Sequence, residues 1–319
     1  KGDMGVSVIM AQTFKIAQIM QKALNEEQQA RIFPKFAKDP RGILASGNTE
    51  PGIGSDKFTS HPVPFRTSAV KTQGGWIVNG LKQFISNGNR ASYYLVRVQT
   101  DKAKTMADGS TMFLVERDRP GFTIGRVHDK MGERLANNAE LVFQDCFIPD
   151  ENVVGLVDKG AKERAEFMAA SNAYAGASVL GVAVALHNKA VEWAKLRVQG
   201  GKLLVEHDGI RAQLAEMRML IDASRSYIHR ACWLADHKEQ GWDRTLGALP
   251  KVMASQAAWK IATWCLEIHG GYGYMKETGV EKLVRDAAAF LHSDGVNRTL
   301  FLKAANAMFG LLPNPGKRE

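Results

Sequence analysis

A loop that contains glycine and proline is the stretch of this sequence best suited to contact a ligand. Residues 49–56 read TEPGIGSD. Pro51 fixes one backbone angle, and the glycines at 52 and 54 allow conformations that a side chain would forbid. Hydroxyl groups from Thr49 and Ser55 flank this backbone. Such a loop can bring bare amides close to a flat or anionic ligand, although the same residues also suit an ordinary surface turn.

A lone carboxylate near the C-terminus is the second candidate for chemistry. Asp294 is followed by Gly295 inside a long helical pattern. An aspartate can act as a general base that removes a proton from carbon when it faces a reacting substrate. The same Ser293-Asp294-Gly295 sequence also fits a helix-breaking turn with a capping aspartate, so the pattern alone leaves both interpretations open.

The glycine-rich strings do not match the common nucleotide-binding fingerprints. Gly52-Ile53-Gly54 lacks a third glycine at the required distance and precedes β structure. Gly271-Tyr272-Gly273 follows a helix and has Lys276 where the third glycine belongs. The sequence therefore disfavours a Rossmann domain and a P-loop.

Composition places the chain among ordinary globular proteins. It has 319 residues, of which 45% are hydrophobic and 24% charged, and this length suits two or three domains. The formal net charge of +9 is spread along the chain without a dense basic block, so we expect no nucleic-acid partner. A small phosphate-bearing ligand is one use for this charge, and a well-solvated basic surface is the other.

Nothing in the sequence predicts a membrane span, a metal site or a disulfide framework. No apolar run is long enough to cross a bilayer, and residues 1–4 lack the basic-then-apolar design of a secretory signal. We therefore expect a cytoplasmic protein, or a mitochondrial matrix protein if the source is eukaryotic. Cys146, Cys232 and Cys265 are widely spaced and are expected to be core thiols.

The hydrophobic period changes twice along the chain and predicts an α+β fold. A helical period occupies residues 1–40, an alternating period occupies 41–155, and the helical period returns over 156–312. We predict a partial N-terminal helical domain, a central small β-barrel or sandwich and a C-terminal four-helix bundle. Residues 313–319 are expected to form a frayed tail.

Individual elements follow from the same patterns. Two amphipathic helices are expected within residues 4–37, the second opening at Asn25. A hairpin turn is expected at Gly74-Gly75. The predicted strands are Ser68–Thr72, Trp76–Asn79, Phe84–Ser86, Tyr93–Gln99, Met112–Glu116, Gly121–Ile124 and Leu141–Ile148. The predicted bundle helices are 162–197, 205–237, 248–268 and 281–309, the last broken or bent near Asp294-Gly295.

Five strings in this order and spacing resemble the acyl-CoA dehydrogenase family of FAD flavoproteins. They are TEPGIGSD at 49–56, FISNGN at 84–89, KMGERLANNAELVF at 130–143, GKLLVEH at 201–207 and EIHGGYGYMKETGVEKLVRD at 267–286. The resemblance covers nearly the whole chain. It also implies that the front of the family's N-terminal helical domain is missing from this chain.

The resemblance implies a set of residues that hold the flavin ring of FAD. Thr49 would bond the polar edge of the ring, and the strand that contains Phe84 and Ser86 would cover it, with the Ser86 hydroxyl near the hydride-accepting nitrogen. The family usually has Trp at the position of Phe84 and Thr at that of Ser86. The full set implied for this half of the cofactor is Ser46, Gly47, Asn48, Thr49, Ser55, Phe84, Ile85 and Ser86.

The resemblance places the adenine dinucleotide half of FAD across a contact between subunits, which implies a homodimer or homotetramer. Arg197 is the expected pyrophosphate partner because its fork matches phosphate oxygens. The family often has Phe at the position of Gly200 and Gln at that of Glu267. The implied residues are Arg197, Gln199, His207, Asp208, Glu267, Gly270 and Gly271.

The resemblance implies an oxidoreductase of acyl-CoA metabolism that removes an α-proton and a β-hydride from a thioester. The family's catalytic glutamate falls at Asp294, whose side chain is shorter by about one C–C bond, roughly 1.5 Å. The family's other base position falls at Ser171, which cannot serve. The implied substrate-binding residues are Ser55, Met168, Ser171, Asn172 and Gly295. An electron-transferring flavoprotein is the implied electron acceptor.

Two alternatives remain beside the dehydrogenase interpretation. The family usually has an Arg where this chain has Asn172, which leaves room for a relative that does not use CoA. The nitroalkane oxidases resemble the family in fold and use an Asp base, so they are the enzymatic alternative. A flavin-free interaction protein that keeps the scaffold is the other, favoured by Gly200, Glu267 and the basic surface.

Overall fold

The computed structural model describes residues 2–54, 63–160 and 171–311 and has an α+β architecture. Helices open the chain, a sheet follows, and helices return to the end, so the predicted fold class is confirmed. The described residues form two compact units. One comprises 8–54, 63–129 and 135–160, and the other comprises 2–7, 130–134 and 171–311. The four-part division predicted from the sequence stays a prediction.

Two helices precede the sheet, as predicted. Helix α1 spans Met4–Ala23 and helix α2 spans Glu26–Lys38. Asn25 begins α2 with a capping box: its side-chain oxygen accepts from the Gln28 N–H at 2.9 Å, and the Gln28 side chain accepts from the Asn25 N–H at 3.1 Å. The Gln28 side-chain amide also donates to the carbonyl of Val153 at 2.7 Å, which ties α2 to a later segment of the same unit.

One eight-stranded sheet forms the centre of the first unit. Its strands are β1 Leu44–Gly47, β2 Ser68–Thr72, β3 Gly75–Ser86, β4 Tyr93–Gln99, β5 Ser110–Glu116, β6 Phe122–Val127, β7 Asn138–Pro149 and β8 Val153–Val154. Their order across the sheet is β6-β7-β3-β2-β4-β5-β8, and β1 pairs in parallel with β4.

The sequence prediction was wrong about β3 and did not include β1. The predicted strands 76–79 and 84–86 form one continuous strand, which has register shifts between Val78 and Gly80 and between Lys82 and Ile85. The pattern missed the middle of β3 because Lys82 is a charged residue that the fold buries completely. At the first shift the extra residue lies on β7, and at the second it lies on β3, as in a β-bulge.

Apart from its first residue, strand β4 is buried on both faces, including its polar side chains. Tyr94, Val96 and Val98 lie in the core cluster on one side. Leu95 lies in a second cluster with apolar residues of α1 and α2, including Ile16. Burying a large apolar side chain contributes about 1.5–3 kcal/mol, so these two layers stabilise the sheet unit from both sides.

The second unit is built mainly from helices. They are α3 Ser171–Leu196, α4 Asp208–Asp236, α5 Leu249–His269, the short α6 Gly271–Tyr274, α7 Val280–Ala289 and α8 Asn297–Met308. A small hairpin of β9 Val198–Gln199 and β10 Lys202–Leu203 connects α3 to α4. Gly176 lets α3 approach α5 closely, since an added Cβ would lie 3.2 Å from the Lys251 Cα.

The predicted fourth bundle helix, 281–309, is two helices. Helix α7 ends at Ala289 and α8 begins at Asn297, so the break predicted near Asp294-Gly295 is a complete interruption. The first residues of the predicted helix 162–197 lie outside the described residues, and its described part begins at Ser171. None of the helices in the described ranges combines the length and apolar character needed to cross a membrane.

Candidate active site

The loop after β1 forms a tight turn at the residues that the sequence indicated. Glu50 and Ile53 exchange two backbone hydrogen bonds, of 2.9 and 3.0 Å. Gly52 has a φ of +81°, the third-position conformation of a type II turn, and Pro51 precedes it as that turn prefers. Ser55, which the resemblance assigned to cofactor and substrate, lies outside the described residues.

The residues just before this turn lie beside β3. The backbone carbonyl of Thr49 accepts from the Gln83 N–H at 2.8 Å. The Asn48 side chain donates to the Ser46 hydroxyl at 2.9 Å, whereas its own Oδ1 is buried and has no hydrogen-bond partner among the described residues. Buried polar atoms are nearly always satisfied, so the Asn48 oxygen indicates a missing donor. Gly47, the last residue of β1, is buried.

Phe84 is the most strained non-glycine position on β3. Its φ is +58°, and its side chain is 55% exposed. Asn138 holds this backbone, because its amide donates to the Phe84 carbonyl at 2.9 Å and to the Ser86 hydroxyl at 3.2 Å. The Phe84 ring packs on His128 with centroids 4.6 Å apart. Strained positions of this kind cluster at ligand sites.

These groups of the sheet unit fit a flat heteroaromatic ring. Phe84 offers an exposed aromatic surface, Ser86 offers a hydroxyl close by, and Asn48 offers an unpaired acceptor. Ile85, which lies between Phe84 and Ser86 in the chain, is 3% exposed and belongs to the core. The structure thus brings Thr49 to β3, the strand that carries Phe84 and Ser86.

The hairpin after α3 gathers residues that the resemblance implied for the adenine dinucleotide half of FAD, including Arg197, the expected pyrophosphate partner. The Arg197 guanidinium donates to the Gln199 side-chain oxygen at 3.0 Å and lies 5.6 Å from the ring centroid of Tyr272. The His207 Nε2 lies 3.0 Å from the Gln199 carbonyl oxygen. Gly200 has a φ of +62°, and a Cβ there would lie 3.4 Å from the His207 ring. Arg197, Gln199 and His207 therefore form one group.

Of the other residues implied for the adenine dinucleotide half, only some lie beside this group. Gly270 ends α5 with a φ of +57° and donates its N–H to the Glu267 carbonyl at 3.0 Å. Gly271 follows and precedes Tyr272, the aromatic residue beside Arg197. Asp208 begins α4, and its exposed carboxylate is paired with Arg211. Glu267 is exposed on α5.

Asp294 lies in the connection between α7 and α8, and its backbone is held on both sides. The Asn172 amide of α3 donates to the Asp294 carbonyl at 2.6 Å. The Lys251 ammonium of α5 donates to the Gly295 carbonyl at 2.8 Å. Asp294 has a φ of +51° and Gly295 a φ of +102°, so the carboxylate stands on a sharp turn.

Lys251 is a residue that the sequence reasoning missed. Its side chain is completely buried, and it also donates to the Asn297 side-chain oxygen at 2.9 Å. Burial lowers its pKa to about 8, while the nearby Asp294 charge opposes that change. A lysine within the apolar run LPKVMA was the available signal.

The sequence reasoning also missed Glu133, a buried carboxyl group that the charge of half-buried Asp294 influences. Glu133 is 5% exposed and has a φ of +50°, and its N–H donates to the Asp286 carboxylate at 2.6 Å. Burial raises the pKa of Glu133 to about 7; Lys130, 3.5 Å away, opposes this, and the charges of Asp286 and Asp294 add to it. In the sequence, Glu133 is marked only as a member of the string KMGERLANNAELVF at 130–143, which resembles the family.

The implied substrate residues fall in different parts of the structure. Met168 lies outside the described residues, and Ser171 is the first residue of α3. Asn172 and Gly295 are both placed, and both belong to the network that holds the Asp294 backbone.

Comparison with known proteins identifies the family. The sequence profile of the acyl-CoA dehydrogenase middle domain matches residues 45–146, and the profile of the acyl-CoA dehydrogenase C-terminal domain matches residues 158–309. The short-chain specific acyl-CoA dehydrogenase of Megasphaera elsdenii is 35% identical over 310 residues, which are 97% of this chain and 79% of that protein.

Solved structures agree with the sequence matches. The butyryl-CoA dehydrogenase of Megasphaera elsdenii has a TM-score of 0.88 and 33% identity, over 96% of this chain and 78% of that one. A chain in a structure of the electron transferring flavoprotein of Acidaminococcus fermentans has a TM-score of 0.87 and 30% identity, over 95% and 78% of the two chains. This chain therefore belongs to the acyl-CoA dehydrogenase family of FAD-dependent oxidoreductases.

Proposed function

We propose that this protein catalyses the FAD-dependent α,β-dehydrogenation of an acyl-CoA thioester. The observation that carries the proposal is the Asp294 carboxylate on a turn whose two carbonyls are held by Asn172 and Lys251. A general base must be held within a small range of positions to reach the proton that it removes. Family membership supplies the reaction class, and this turn supplies the base.

In the proposed reaction, Asp294 removes the proton from the carbon next to the thioester carbonyl. FAD, when bound, supplies the acceptor for the hydride that leaves the neighbouring carbon. The two carbons become joined by a double bond, and the abstracted proton remains on the Asp294 carboxyl. Asn172 and Lys251 keep the turn from relaxing, which matters because aspartate reaches about 1.5 Å less far than glutamate.

We propose that the residues of the sheet unit bind the flavin ring. Thr49 and Ser86 would donate or accept at its polar edge, and the exposed face of Phe84 would lie against the ring. Ser46, Gly47, Asn48, Ser55 and Ile85 complete the proposed set. The unpaired Oδ1 of Asn48 supports a donor from the ligand at this position.

We propose that the group around Arg197 binds the pyrophosphate of FAD. Arg197 is already oriented by Gln199 and Tyr272, and its planar fork suits phosphate oxygens. Gly270 and Gly271 would allow close approach, since a Cβ at either position meets nothing within 4 Å. His207, Asp208 and Glu267 complete the proposed set.

We propose a short-chain acyl-CoA as substrate, because the relative from Megasphaera elsdenii is named short-chain specific and the similar solved structure is a butyryl-CoA dehydrogenase. Ser55, Met168, Ser171, Asn172 and Gly295 are the proposed substrate contacts. Of these, the Asn172 amide already donates to the Asp294 carbonyl, so we assign it a positioning role beside any contact with substrate.

The partners and location are also proposals. We propose an electron-transferring flavoprotein as electron acceptor and a homodimer or homotetramer as the assembly, both from the family resemblance. A cytoplasmic location, or the mitochondrial matrix in a eukaryote, remains the expectation. Sedimentation of the purified holoprotein and reduction of an added electron-transferring flavoprotein would test the assembly and the acceptor separately.

Anaerobic titration of the purified protein tests the proposed reaction. The protein should be yellow, and butyryl-CoA should bleach its flavin absorption. Asp294→Asn should keep the flavin and lose the bleaching, whereas retained turnover in that variant would refute the assignment of the base. Bleaching by a nitroalkane but by no acyl-CoA would indicate the oxidase alternative, and colourless protein that takes up no FAD would indicate the scaffold alternative.

A panel of straight, branched and cyclic acyl-CoAs tests the proposed substrate class. The highest kcat/KM should be found with a straight chain close to butyryl-CoA in length. A higher value for a long, branched or cyclic acyl-CoA would leave the reaction in place but overturn the short-chain assignment.

A further inference from the structure

A completely buried ion pair joins the loop of residues 49–54 to the middle of β3. The Lys82 ammonium lies 2.6 Å from the Glu50 carboxylate, and both side chains have zero exposure. The same carboxylate accepts from the N–H of Arg66 at 2.7 Å and from that of Thr67 at 3.1 Å. Glu50 therefore connects three segments: its own turn, the approach to β2, and β3.

The environment of Lys82 is unusual for a charged side chain. Its ammonium lies 3.9 Å from the ring centroid of Phe65, a geometry suited to a cation–π interaction. Burial lowers the pKa of Lys82 to about 8, the Glu50 charge opposes this change, and Arg97 adds to it. A buried ion pair is seldom the most stabilising choice for a core, since an apolar pair of similar size often does as well. Stability alone therefore does not explain why the fold contains this pair.

The position of the pair in the chain indicates that role. Glu50 directly follows Thr49, and Lys82 directly precedes Gln83, whose N–H donates to the Thr49 carbonyl at 2.8 Å. The ion pair and this backbone bond are thus adjacent links between the loop and β3. The register shift of β3 against β7 begins immediately after Lys82, and Phe84, with its positive φ, lies within it. Slippage of either link would move Thr49 relative to Phe84.

We propose that the buried Lys82–Glu50 pair is a positioning device that sets the register between the Thr49 loop and the Phe84–Ser86 strand for binding the flavin ring. The inference rests on the proposed assignment of these two segments to the flavin. Neither Lys82 nor Glu50 contacts the ring in this proposal. Both act through the backbone at Thr49 and at the β3 bulge.

Removal of the Lys82 charge alone, and of the Lys82 and Glu50 charges together, tests the proposal. Lys82→Met leaves Glu50 buried without its cation, and this single variant can fail to fold. The Glu50→Gln/Lys82→Met double variant removes both charges and is the deciding one. Its apoprotein should melt within a few degrees of wild type, whereas its dissociation constant for FAD should rise about tenfold or more. Its bound flavin should show an altered absorption band.

Two further variants serve as controls. Lys82→Arg keeps a cation beside Glu50 and should recover most of the FAD affinity that Lys82→Met loses. Lys71→Met removes an exposed ion pair with Asp150, 2.6 Å long, on the neighbouring strand β2. Because surface pairs contribute little, Lys71→Met should leave FAD affinity and the flavin spectrum unchanged.

The outcomes separate this inference from the proposed function. Wild-type protein that binds no FAD would contradict the proposed function itself. Wild-type protein that binds FAD, beside a double variant with the same dissociation constant and spectrum, would overturn only the positioning role. A double variant that does not fold would also overturn it, because the pair would then be required for the sheet rather than for the cofactor.

Discussion

Replacement of Glu133 by glutamine should change how the stability of this protein depends on pH. Burial raises the pKa of this carboxyl from 4.5 to about 7 in the folded protein. Between these two values the folded protein holds a proton that the unfolded chain has released. The free energy of unfolding therefore falls as pH rises through this window. The difference between these two pKa values corresponds to about 3.4 kcal/mol, at about 1.36 kcal/mol per pH unit.

The Glu133→Gln variant lacks this contribution because glutamine stays neutral. Below pH 4.5 both side chains are uncharged, and above pH 7 only the wild type has a buried carboxylate. The unfolding free energy of wild type minus that of Glu133→Gln should therefore decrease by about 3 kcal/mol between pH 4.5 and pH 7.5. The difference isolates this position, since the other titrating groups occur in both proteins.

Urea denaturation of both apoproteins at several pH values measures this difference. The variant should gain relative stability steadily as pH rises from 4.5 to 7.5. A difference that stays constant within about 0.5 kcal/mol, or one that changes in the opposite direction, would refute the reasoning. Either result would mean that Lys130, at 3.5 Å, stabilises the Glu133 charge enough to cancel the effect of burial.

Three other substitutions test the base-bearing turn and one helix cap. Asn172→Ala removes the donor to the Asp294 carbonyl, so kcat should fall while the FAD dissociation constant stays the same; loss of FAD binding would contradict this. Gly295→Ala places a Cβ 3.0 Å from Leu300 at a φ of +102°, and thermal melting should show a loss of about 1–3 kcal/mol, with an unchanged melting temperature as the contrary result. Asn25→Ala removes the α2 cap and should cost about 1 kcal/mol in urea unfolding without changing kcat, so a large loss of activity would argue against a purely structural cap.

The features predicted correctly from the sequence are those set by neighbouring residues. Pro51 and Gly52 form the expected turn, because their own backbone preferences suit it. Asn25 caps α2 through Gln28, three residues away. The helical pattern broke at Asp294-Gly295 as predicted, although the pattern did not show that seven residues separate α7 from α8.

The residues that the sequence reasoning missed depend on contacts between distant parts of the chain. Lys82 meets Glu50 across 32 positions, Lys251 meets Gly295 across 44, and Glu133 meets Asp286 across 153. In a linear pattern each of these charged residues suggests solvent exposure. Folding removes water from these side chains. Burial then changes their pKa values, and Lys251 comes to hold the Gly295 carbonyl.

The sequence by itself determined the family, the succession of a helical, a β and a second helical segment, the Pro51-Gly52 turn and the location of a candidate base, because these follow from local conformational preference and from strings of adjacent residues. The tertiary structure alone decided which charges are buried and which backbone carbonyls they hold. Burial depends on what the rest of the chain packs around a side chain, and no local pattern contains that information.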